Sequence, residues 1–297
     1  MQKPIILTSI PPNIKRTEKN GAVLDLGYMQ ACIDSWIEAG FTPISVNSRR
    51  EFSTPPKHIN GIDYVLVDRD AYPFVGKPLV YIQDVIRIGA ERSNGPIVMT
   101  NADILLRISP KILASLTKLQ PGQFIAERRL DIFSLDCTNG KEFSQGYDFF
   151  AFHSTDISTY SDEGFVFGVP WWDHYLPLKM LLSGLEKINI LEPFVYHLQH
   201  DERWEPDLWR MYGGIFTRII ARDIKDAEHE KPTKKIDYLH EFKTILEKQN
   251  FPFRKISNIA NRFFIFKNLL HDAKLAEIAR LNIRFIEAEP HTTQPPF

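Results

Sequence analysis

The chain has 297 residues, of which 43% are hydrophobic and 25% are charged, and its formal net charge is -1. This composition is typical of soluble globular proteins, and the near-neutral charge gives no electrostatic reason to expect a nucleic acid as a partner. Two cysteines are too few for a disulfide framework and no apolar run is long enough to cross a bilayer, so we expect a cytoplasmic protein without a transmembrane segment.

The first half of the chain is predicted to alternate between strands and helices. Strands are predicted at residues 4–10, 42–47, 63–68 and 95–106, and helices at 27–41, 78–92 and 111–119. This alternation predicts an α/β fold with a mixed, mostly parallel sheet flanked by helices. Ligands bind at the carboxyl ends of the strands in such sheets. Polar residues stand at three of these ends, namely Thr8-Ser9, Asn47-Ser48 and Asn101 with Asp103.

The second half changes in character. Strand-like and aromatic segments predict an extension of the sheet with strands in 124–133, 146–153 and 187–196 and a helix in 169–185. The residues after 223 are strongly charged, apolar periodicity predicts a helix at 258–289, and the last eight residues are predicted to be disordered. We therefore predict one domain at 1–222, and a charged linker with a C-terminal helical extension at 223–297. The extension is interpreted as a cap on the domain, with docking to a partner or peripheral contact with a membrane surface as the alternative.

The sharpest motif is Asn101-Ala102-Asp103, which interrupts an apolar run. Side chains alternate across a strand, so the amide of Asn101 and the carboxylate of Asp103 are predicted to point the same way. A carboxylate in this place suits Mg²⁺ or Mn²⁺, which complete their coordination with water and substrate phosphates. A turn at the strand end would use the same residues, so both interpretations stay open.

A second polar cluster lies in the segment 196–204, YHLQHDERW. His197 and His200 offer imidazole ligands for a metal such as Mn²⁺, and the guanidinium of Arg203 matches phosphate oxygens. We expect the metal to take one of the two histidines and to leave the other for the substrate or for a supporting hydrogen bond.

Asp173 follows Trp171 and Trp172 at a predicted helix start. The helix dipole stabilises a carboxylate there, which is a purely structural explanation. The functional explanation is a carboxylate beside aromatic platforms for a sugar, where it could take a proton from an attacking hydroxyl.

Asp148 is a lone charge on the apolar strand predicted at 146–153. A buried carboxylate needs a partner, which Arg128 or Arg129 could provide. A structural ion pair and the binding of an acceptor hydroxyl both stay open. The two arginines could alternatively neutralise a diphosphate.

In chain order, these motifs resemble the GT-A glycosyltransferases of the nucleotide-diphospho-sugar transferase superfamily, over about residues 4–205. The resemblance implies a GT-A-like, Rossmann-like fold, a nucleotide-diphosphate sugar as donor, and a carbohydrate or other hydroxyl compound as acceptor. It also implies a Mn²⁺ or Mg²⁺ cofactor bound by Asp103 and by His197 or His200. Asn101 would contact the ribose or a metal-bound water, but it stands where the family has an acid, which should weaken the metal site.

The motifs and the resemblance together assign the remaining site residues. Those expected to bind the donor are Thr8, Ser9, Asn47, Gln83, Asp84, Asn101, Arg128 and Arg203, and those expected to bind the acceptor are Asp148, Trp171 and Trp172. Asp173 would deprotonate the acceptor hydroxyl if the sugar inverts its configuration, or bind the acceptor if the configuration is retained.

We therefore predict a glycosyltransferase acting in polysaccharide or glycan synthesis. The alternatives are a sugar-phosphate nucleotidyltransferase and a non-catalytic carbohydrate-binding protein. The first alternative needs a glycine-rich loop after the first strand, where this chain has the prolines of TSIPPNIKR, residues 8–16. In the second alternative, Asp103 would be dispensable.

Overall fold

The structure is a computed structural model that describes residues 3–12, 14–53, 59–201, 205–227, 240–244 and 260–288. The chain divides into two compact units, with the division between residues 203 and 204. The domain boundary predicted at 222–223 lies inside a helix, Pro206–Ala227.

Short strands and helices alternate along much of the first unit. Its strands are β1 (Ile5–Thr8), β2 (Arg16–Thr17), β3 (Val23–Leu24), β4 (Thr42–Ser48), β5 (Asp63–Val67), β6 (Pro96–Thr100), β7 (Ile104–Leu106), β8 (Gln123–Glu127), β9 (Leu130–Ile132), β10 (Lys141–Glu142), β11 (Phe149–His153), β12 (Glu186–Lys187) and β13 (Val195–Leu198). Its α-helices are α1 (Leu26–Glu38), α2 (Tyr72–Val75), α3 (Ile82–Arg92), α4 (Pro110–Thr117) and α5 (Trp172–Leu182), and 3₁₀ helices cover Glu51–Ser53 and Ser154–Thr159.

Seven strands form the central sheet of the first unit, in the order β12-β8-β11-β6-β1-β4-β5. β1 is parallel to β4 and β6, β4 is parallel to β5, and β8 is parallel to β12, whereas β11 runs antiparallel to β6 and β8. A second sheet has the order β10-β9-β13-β7, in which β13 is parallel to β9 and antiparallel to β7. The mixed, mostly parallel α/β architecture that the sequence predicts is confirmed.

The chain changes sheets where the sequence predicts one continuous strand over 95–106. β6 ends at Thr100 in the central sheet, and β7 begins at Ile104 in the second sheet. The residues between them make a turn. Asn101 and Asp103 therefore do not share one face of a strand, and that prediction is wrong. A chain that passes from one sheet to another must break its ladder, which a turn of polar residues does at low cost.

Two other predicted strands are divided in the same way. The segment 124–133 contributes β8 to the central sheet and β9 to the second sheet, and the segment 187–196 contributes to β12 and β13.

Helix α1 packs against strands of both sheets, β4 and β7. Asp25 caps its first turn by accepting a hydrogen bond from the backbone N–H of Tyr28 (3.0 Å). The buried residues of its apolar face include Met29, Cys32, Ile33 and Trp36. The apolar periodicity of the helix predicted at 27–41 also places Ile37 on this face, but Ile37 is 37% exposed. Nε1 of Trp36 donates to the carbonyl oxygen of Ile104 (2.8 Å), which ties the helix to the first residue of β7.

The second unit is helical in the part that the structure describes. Helix α6 spans Pro206–Ala227, residues 240–244 are helical, and helix α7 spans Ala260–Ala288, close to the predicted 258–289. The guanidinium of Arg210 on α6 binds both carboxylate oxygens of Asp272 on α7, at 2.8 and 2.7 Å.

Among the described residues, no helix is both long enough and apolar enough to cross a bilayer. The predicted linker lies mostly outside the described residues, and the predicted disordered tail lies wholly outside them. Docking of the C-terminal helices to a partner or a membrane stays a prediction.

Candidate active site

Three side chains with metal-ligating atoms converge beside the second sheet. Asp103 lies in the turn before β7, His197 lies on β13 next to Ile104 in register, and His200 follows β13. Oδ2 of Asp103 is 3.5 Å from Nε2 of His197 and 3.6 Å from Nε2 of His200. The ligand atoms of the three residues lie within 4.8 Å of one another. Both histidines therefore face the carboxylate of Asp103, and how many of them a metal would take stays a prediction.

Nε2 of each imidazole faces the carboxylate of Asp103 and carries a lone pair, which is the form that binds a metal ion. Nδ1 of His197 lies 2.8 Å from Oδ1 of Asp131, and Nδ1 of His200 lies 3.0 Å from the carbonyl oxygen of Asp201. These oxygens accept hydrogen bonds, so we assign the ring proton to Nδ1, which leaves the lone pair on Nε2. Nε2 of His200 is buried and has no hydrogen-bond partner among the described residues. Two imidazole nitrogens and a carboxylate oxygen fit a divalent cation such as Mn²⁺.

The ligands also shift one another's pKa. Burial would raise the pKa of the Asp103 carboxyl, but His197 and His200 outweigh burial and hold this pKa well below its usual range. Burial would lower the pKa of His197, but Asp103 and Asp131 outweigh burial and raise this pKa above its usual value. Asp103 is therefore a carboxylate at neutral pH, and a bound cation would take the place of the proton that His197 attracts.

Asp131 supports the metal ligands and was missed in the sequence. The parallel pairing of β9 with β13 places Asp131 directly beside His197. Nε of Arg129 donates to Oδ1 of Asp131 (2.8 Å), the same oxygen that faces the imidazole. A carboxylate in this position orients the ring and raises its basicity. Asp131 and His197 are 66 positions apart in the chain, so no local pattern connects them. The one feature of the sequence that pointed to Asp131 was the group of charged residues that includes Arg128.

Asp148 extends the same network away from the metal ligands. Its Oδ1 accepts hydrogen bonds from Nη1 of Arg129 (3.0 Å) and from Nδ2 of Asn101 (2.7 Å). Its Oδ2 is buried and has no hydrogen-bond partner among the residues described. Arg129 is thus the partner expected for this buried carboxylate, whereas Arg128 pairs with Glu142. Oδ2 of Asp148 is left to accept a hydrogen bond from a hydroxyl group.

Asp173 lies in the first turn of α5, against the segment that leads into Asp148. A Cβ atom added at Gly146 would lie 2.1 Å from Oδ2 of Asp173, so this close approach requires glycine. Burial raises the pKa of Asp173, and the charge of Asp148 raises it further. The two carboxylates therefore belong to one acidic site.

The two tryptophans before Asp173 belong to the core. Trp171 and Trp172 are 0% and 3% exposed, and Trp172 stacks on Phe167 with 4.9 Å between the ring centroids. Buried rings present no face to a sugar, so the predicted aromatic platform is wrong. Trp171 has a φ of +82°, and among the described residues no other residue except glycine has a positive φ. Such a backbone costs about 1–3 kcal/mol, which the burial of the ring offsets.

Polar residues were predicted at the ends of the first two strands. Asn47 forms hydrogen bonds within the protein, and the hydroxyl of Thr8 has no hydrogen-bond partner among the described residues. Nδ2 of Asn47 donates to the carbonyl oxygen of Ile10 (2.8 Å) and to Glu51 (2.8 Å), and Asn47 is fully buried. Its amide also lies 3.5 Å from Oγ of Ser9. Oγ1 of Thr8 is buried without a hydrogen-bond partner in the described part of the chain. The structure places these groups around the end of β1.

Two of the other predicted donor-binding residues, Gln83 and Asp84, lie on α3. Gln83 lines a cleft together with Tyr160 and Tyr175. Asp84 lies 3.6 Å from the guanidinium of Arg87. Arg203 lies outside the described residues.

By sequence, no family model and no curated protein matches the chain. By structure, the chain is similar to S. aureus TarS 1–349 in complex with UDP-GlcNAc, with 9% identity and a TM-score of 0.45 over 97% of this chain and 90% of that chain. It is also similar to HddC from Yersinia pseudotuberculosis complexed with GMP-PN, with 8% identity and a TM-score of 0.33 over 67% of this chain and 90% of that one. A third similar structure is the mannose-1-phosphate geranyltransferase from Thermus thermophilus, with 12% identity and a TM-score of 0.32 over 72% and 79%.

Proposed function

We propose that this chain is a divalent-metal-dependent glycosyltransferase that moves a sugar from a nucleotide-diphosphate sugar to a hydroxyl acceptor. The proposal rests on one continuous polar network that connects a candidate metal-binding triad to the carboxylates of Asp148 and Asp173. In order of contact its members are His200, Asp103, His197, Asp131, Arg129 and Asp148, and Asp148 in turn interacts with Asp173. A displacement at a sugar carbon needs one site for the departing diphosphate and one for the attacking hydroxyl, and this network supplies both.

The metal would be held by Asp103, His197 and His200. When bound, it neutralises the negative charge that grows on the diphosphate leaving group. Arg129 contributes less to this task, because its guanidinium already pairs with Asp131 and Asp148. We favour Mn²⁺ over Mg²⁺, since Mg²⁺ prefers oxygen ligands and two of these three ligands are imidazoles.

Asp173 is the proposed base. A raised pKa makes its carboxylate a better proton acceptor near neutral pH. Oδ2 of Asp148 orients the acceptor by accepting a hydrogen bond from a hydroxyl group. The proton passes from the attacking hydroxyl to Asp173. The oxygen of that hydroxyl bonds to the sugar carbon, and the bond from this carbon to the diphosphate breaks. Attack on the side opposite the leaving group inverts the configuration of the sugar.

The donor's nucleoside end is proposed to lie at the end of β1. Support comes from Thr8, whose Oγ1 is buried without a hydrogen-bond partner among the described residues. Further donor contacts carried over from the sequence are Ser9, Asn47, Gln83, Asp84, Asn101, Arg128 and Arg203. We also propose a cytoplasmic location and a carbohydrate acceptor in polysaccharide or glycan synthesis.

The first test compares the wild-type protein with Asp103→Ala, which removes one ligand of the triad. Nucleoside diphosphates and nucleotide sugars are added with and without Mn²⁺, and both thermal stabilisation and donor hydrolysis are measured. We expect Mn²⁺-dependent stabilisation of the wild-type protein that disappears in Asp103→Ala. Asp68→Ala is the matched control, because Asp68 is a carboxylate in an exposed ion pair with Arg49.

Equal stabilisation of the wild-type protein and Asp103→Ala would remove Asp103 from the site. Turnover of a nucleoside triphosphate with a sugar phosphate would show a nucleotidyltransferase. Binding of carbohydrate without donor hydrolysis, unchanged in Asp103→Ala, would show a non-catalytic binding protein.

A further inference from the structure

The hydroxyl group of Tyr28 on α1 lies between the two segments that carry the metal ligands. Its oxygen donates a hydrogen bond to the carbonyl oxygen of Asp103 (2.6 Å) and accepts one from the backbone N–H of Leu198 (3.0 Å). Tyr28 is 4% exposed, and burial raises the pKa of its phenol, so the hydroxyl keeps its proton. One buried hydroxyl thus joins residues that are far apart in the chain.

The register of β7 and β13 explains why a hydroxyl fits there. The two strands are antiparallel, with His197 opposite Ile104, so the next pair along the ladder is Leu198 with Asp103. In an antiparallel ladder, pairs that exchange hydrogen bonds alternate with pairs that do not. The N–H of Arg107 donates to the carbonyl oxygen of Phe194 (3.0 Å), and counting in steps of two from this pair makes Asp103 and Leu198 a hydrogen-bonding pair.

The direct bond between Asp103 and Leu198 is replaced by the Tyr28 hydroxyl. The carbonyl of Asp103 and the N–H of Leu198 are therefore farther apart than in a direct hydrogen bond, because the hydroxyl oxygen of Tyr28 lies between them. The ladder is widened at the point where Asp103 on one strand meets His197 and His200 on the other. The spacing of the metal ligands depends on this gap, because their backbones are its two sides.

Helix α1 holds the hydroxyl in place from behind β7. Besides Tyr28, two of its side chains bond to the backbone of that strand. Nε1 of Trp36 donates to the carbonyl oxygen of Ile104 (2.8 Å), and Oγ of Ser35 accepts from the N–H of Leu106 (3.0 Å). The helix is therefore fixed to β7, and Tyr28 transmits this fixed position to β13.

We propose that Tyr28 is a positioning residue that sets the distance between Asp103 and the two histidines and thereby the affinity for the metal. The proposal rests on the metal site of the proposed function. Tyr28 itself does not touch the metal. Without the hydroxyl, the strands either close to a direct bond or leave two buried backbone groups unpaired, and both results change the ligand spacing.

The test is Tyr28→Phe, which removes the hydroxyl and keeps the buried ring. Metal-free protein is titrated with Mn²⁺ and followed by electron paramagnetic resonance, and Co²⁺ is added separately to record its visible spectrum. We expect the Mn²⁺ affinity to fall by about 10–100-fold, the usual effect of losing a group that orients a ligand. The Co²⁺ spectrum should change because its intensity reports coordination geometry.

Tyr196→Phe is the matched control. Tyr196 is buried like Tyr28 and lies on β13, but its hydroxyl donates to the carbonyl oxygen of Pro193 (3.3 Å), away from the ligand pair. The melting temperature of each metal-free variant is measured in parallel. A selective change of Mn²⁺ affinity and Co²⁺ spectrum in Tyr28→Phe supports the positioning role.

Three results would overturn it. The first is wild-type Mn²⁺ affinity in Tyr28→Phe. The second is an equal loss of affinity in both variants that follows their melting temperatures, which would show a general loss of structure. The third is a wild-type protein that binds no Mn²⁺, or one whose Mn²⁺ binding survives Asp103→Ala, and this result would remove the metal site as well.

Discussion

Asp148 is buried and Asp173 is half-buried, and their carboxylates have different partners. Oδ1 of Asp148 accepts hydrogen bonds from Arg129 and Asn101. Asp173 instead accepts from backbone N–H groups at the start of α5, while burial and the charge of Asp148 raise its pKa. Hydrogen bonds from Arg129 and Asn101 hold the Asp148 carboxylate in a fixed position, from which it can orient a substrate. A carboxylate with a raised pKa, such as that of Asp173, can take up a proton. These environments separate the two proposed roles.

At this scale, Asp173→Asn should stabilise the protein at pH 7 and lower the transfer rate by at least about 100-fold, the usual effect of a lost general base. A raised pKa in the folded protein means that an ionised Asp173 costs folding free energy. This cost is absent below the ordinary pKa of aspartate, about 3.9, and complete above the raised pKa. The gain in melting temperature should therefore vanish as the pH falls from 8 to below about 4. A variant that is less stable than wild type at pH 7 would contradict a buried charge at Asp173.

Asn101 stands at a position where the resemblance implies an acid. Its amide donates to Oδ1 of Asp148, and an aspartate there would instead bring a second negative charge to that oxygen. The imidazoles of His197 and His200 offer nitrogen atoms that could bind a metal without Asn101. The amide of Asn101 therefore suits a site that already holds the carboxylate of Asp148. An amide in place of an acid at position 101 does not have to weaken metal binding.

At the scale of elements, β7, β9 and β13 position the metal ligands, and the turn before β7 allows Asp103 to leave the central sheet. The apolar periodicity of α1 predicts four of its five buried residues, but it misses Tyr28 and adds Ile37, which is partly exposed. Helices are predictable in this way because their hydrogen bonds are local. The strands were harder to predict from the sequence, because β7 and β9 both pair with β13, which lies far along the chain.

The approach of the segment before β11 to α5 can be tested with Gly146→Ala. The added Cβ would lie 2.1 Å from Oδ2 of Asp173, so the carboxylate must move. We expect the transfer rate to fall by at least about tenfold, as misplaced catalytic groups do. The Mn²⁺ affinity should stay unchanged, because Gly146 does not contact the triad. Gly95→Ala is the control, since a Cβ there meets nothing within 4 Å. Normal activity in Gly146→Ala would contradict a role for this close approach.

At the scale of the whole molecule, the metal ligands all belong to the first unit, and the ion pair of Arg210 with Asp272 belongs to the second. A ligand that binds only the folded state stabilises it by about 2.7 kcal/mol at a concentration 100 times its dissociation constant. Distant, independent sites usually contribute additively to stability.

We therefore expect Mn²⁺ to raise the melting temperature of the wild-type chain and of Arg210→Met. The variant should unfold at a somewhat lower temperature without metal, because the ion pair with Asp272 is lost. Its Mn²⁺ affinity, measured by titration, should equal that of the wild-type chain. A change in affinity would show that the two units are energetically coupled.

The sequence by itself determined the α/β class, helix α1, the C-terminal helix and the residue types of the site: Asp103, His197, His200, Asp148 and Asp173. Local periodicity and chemical type carry this information, because they do not depend on distant partners. Only the tertiary structure decided that the strand predicted at 95–106 is divided and that Trp171 and Trp172 are buried. It alone also revealed Asp131 and Tyr28 beside the ligands. The physical reason is that strand pairing and burial are set by contacts between segments far apart in the chain, which no local pattern records.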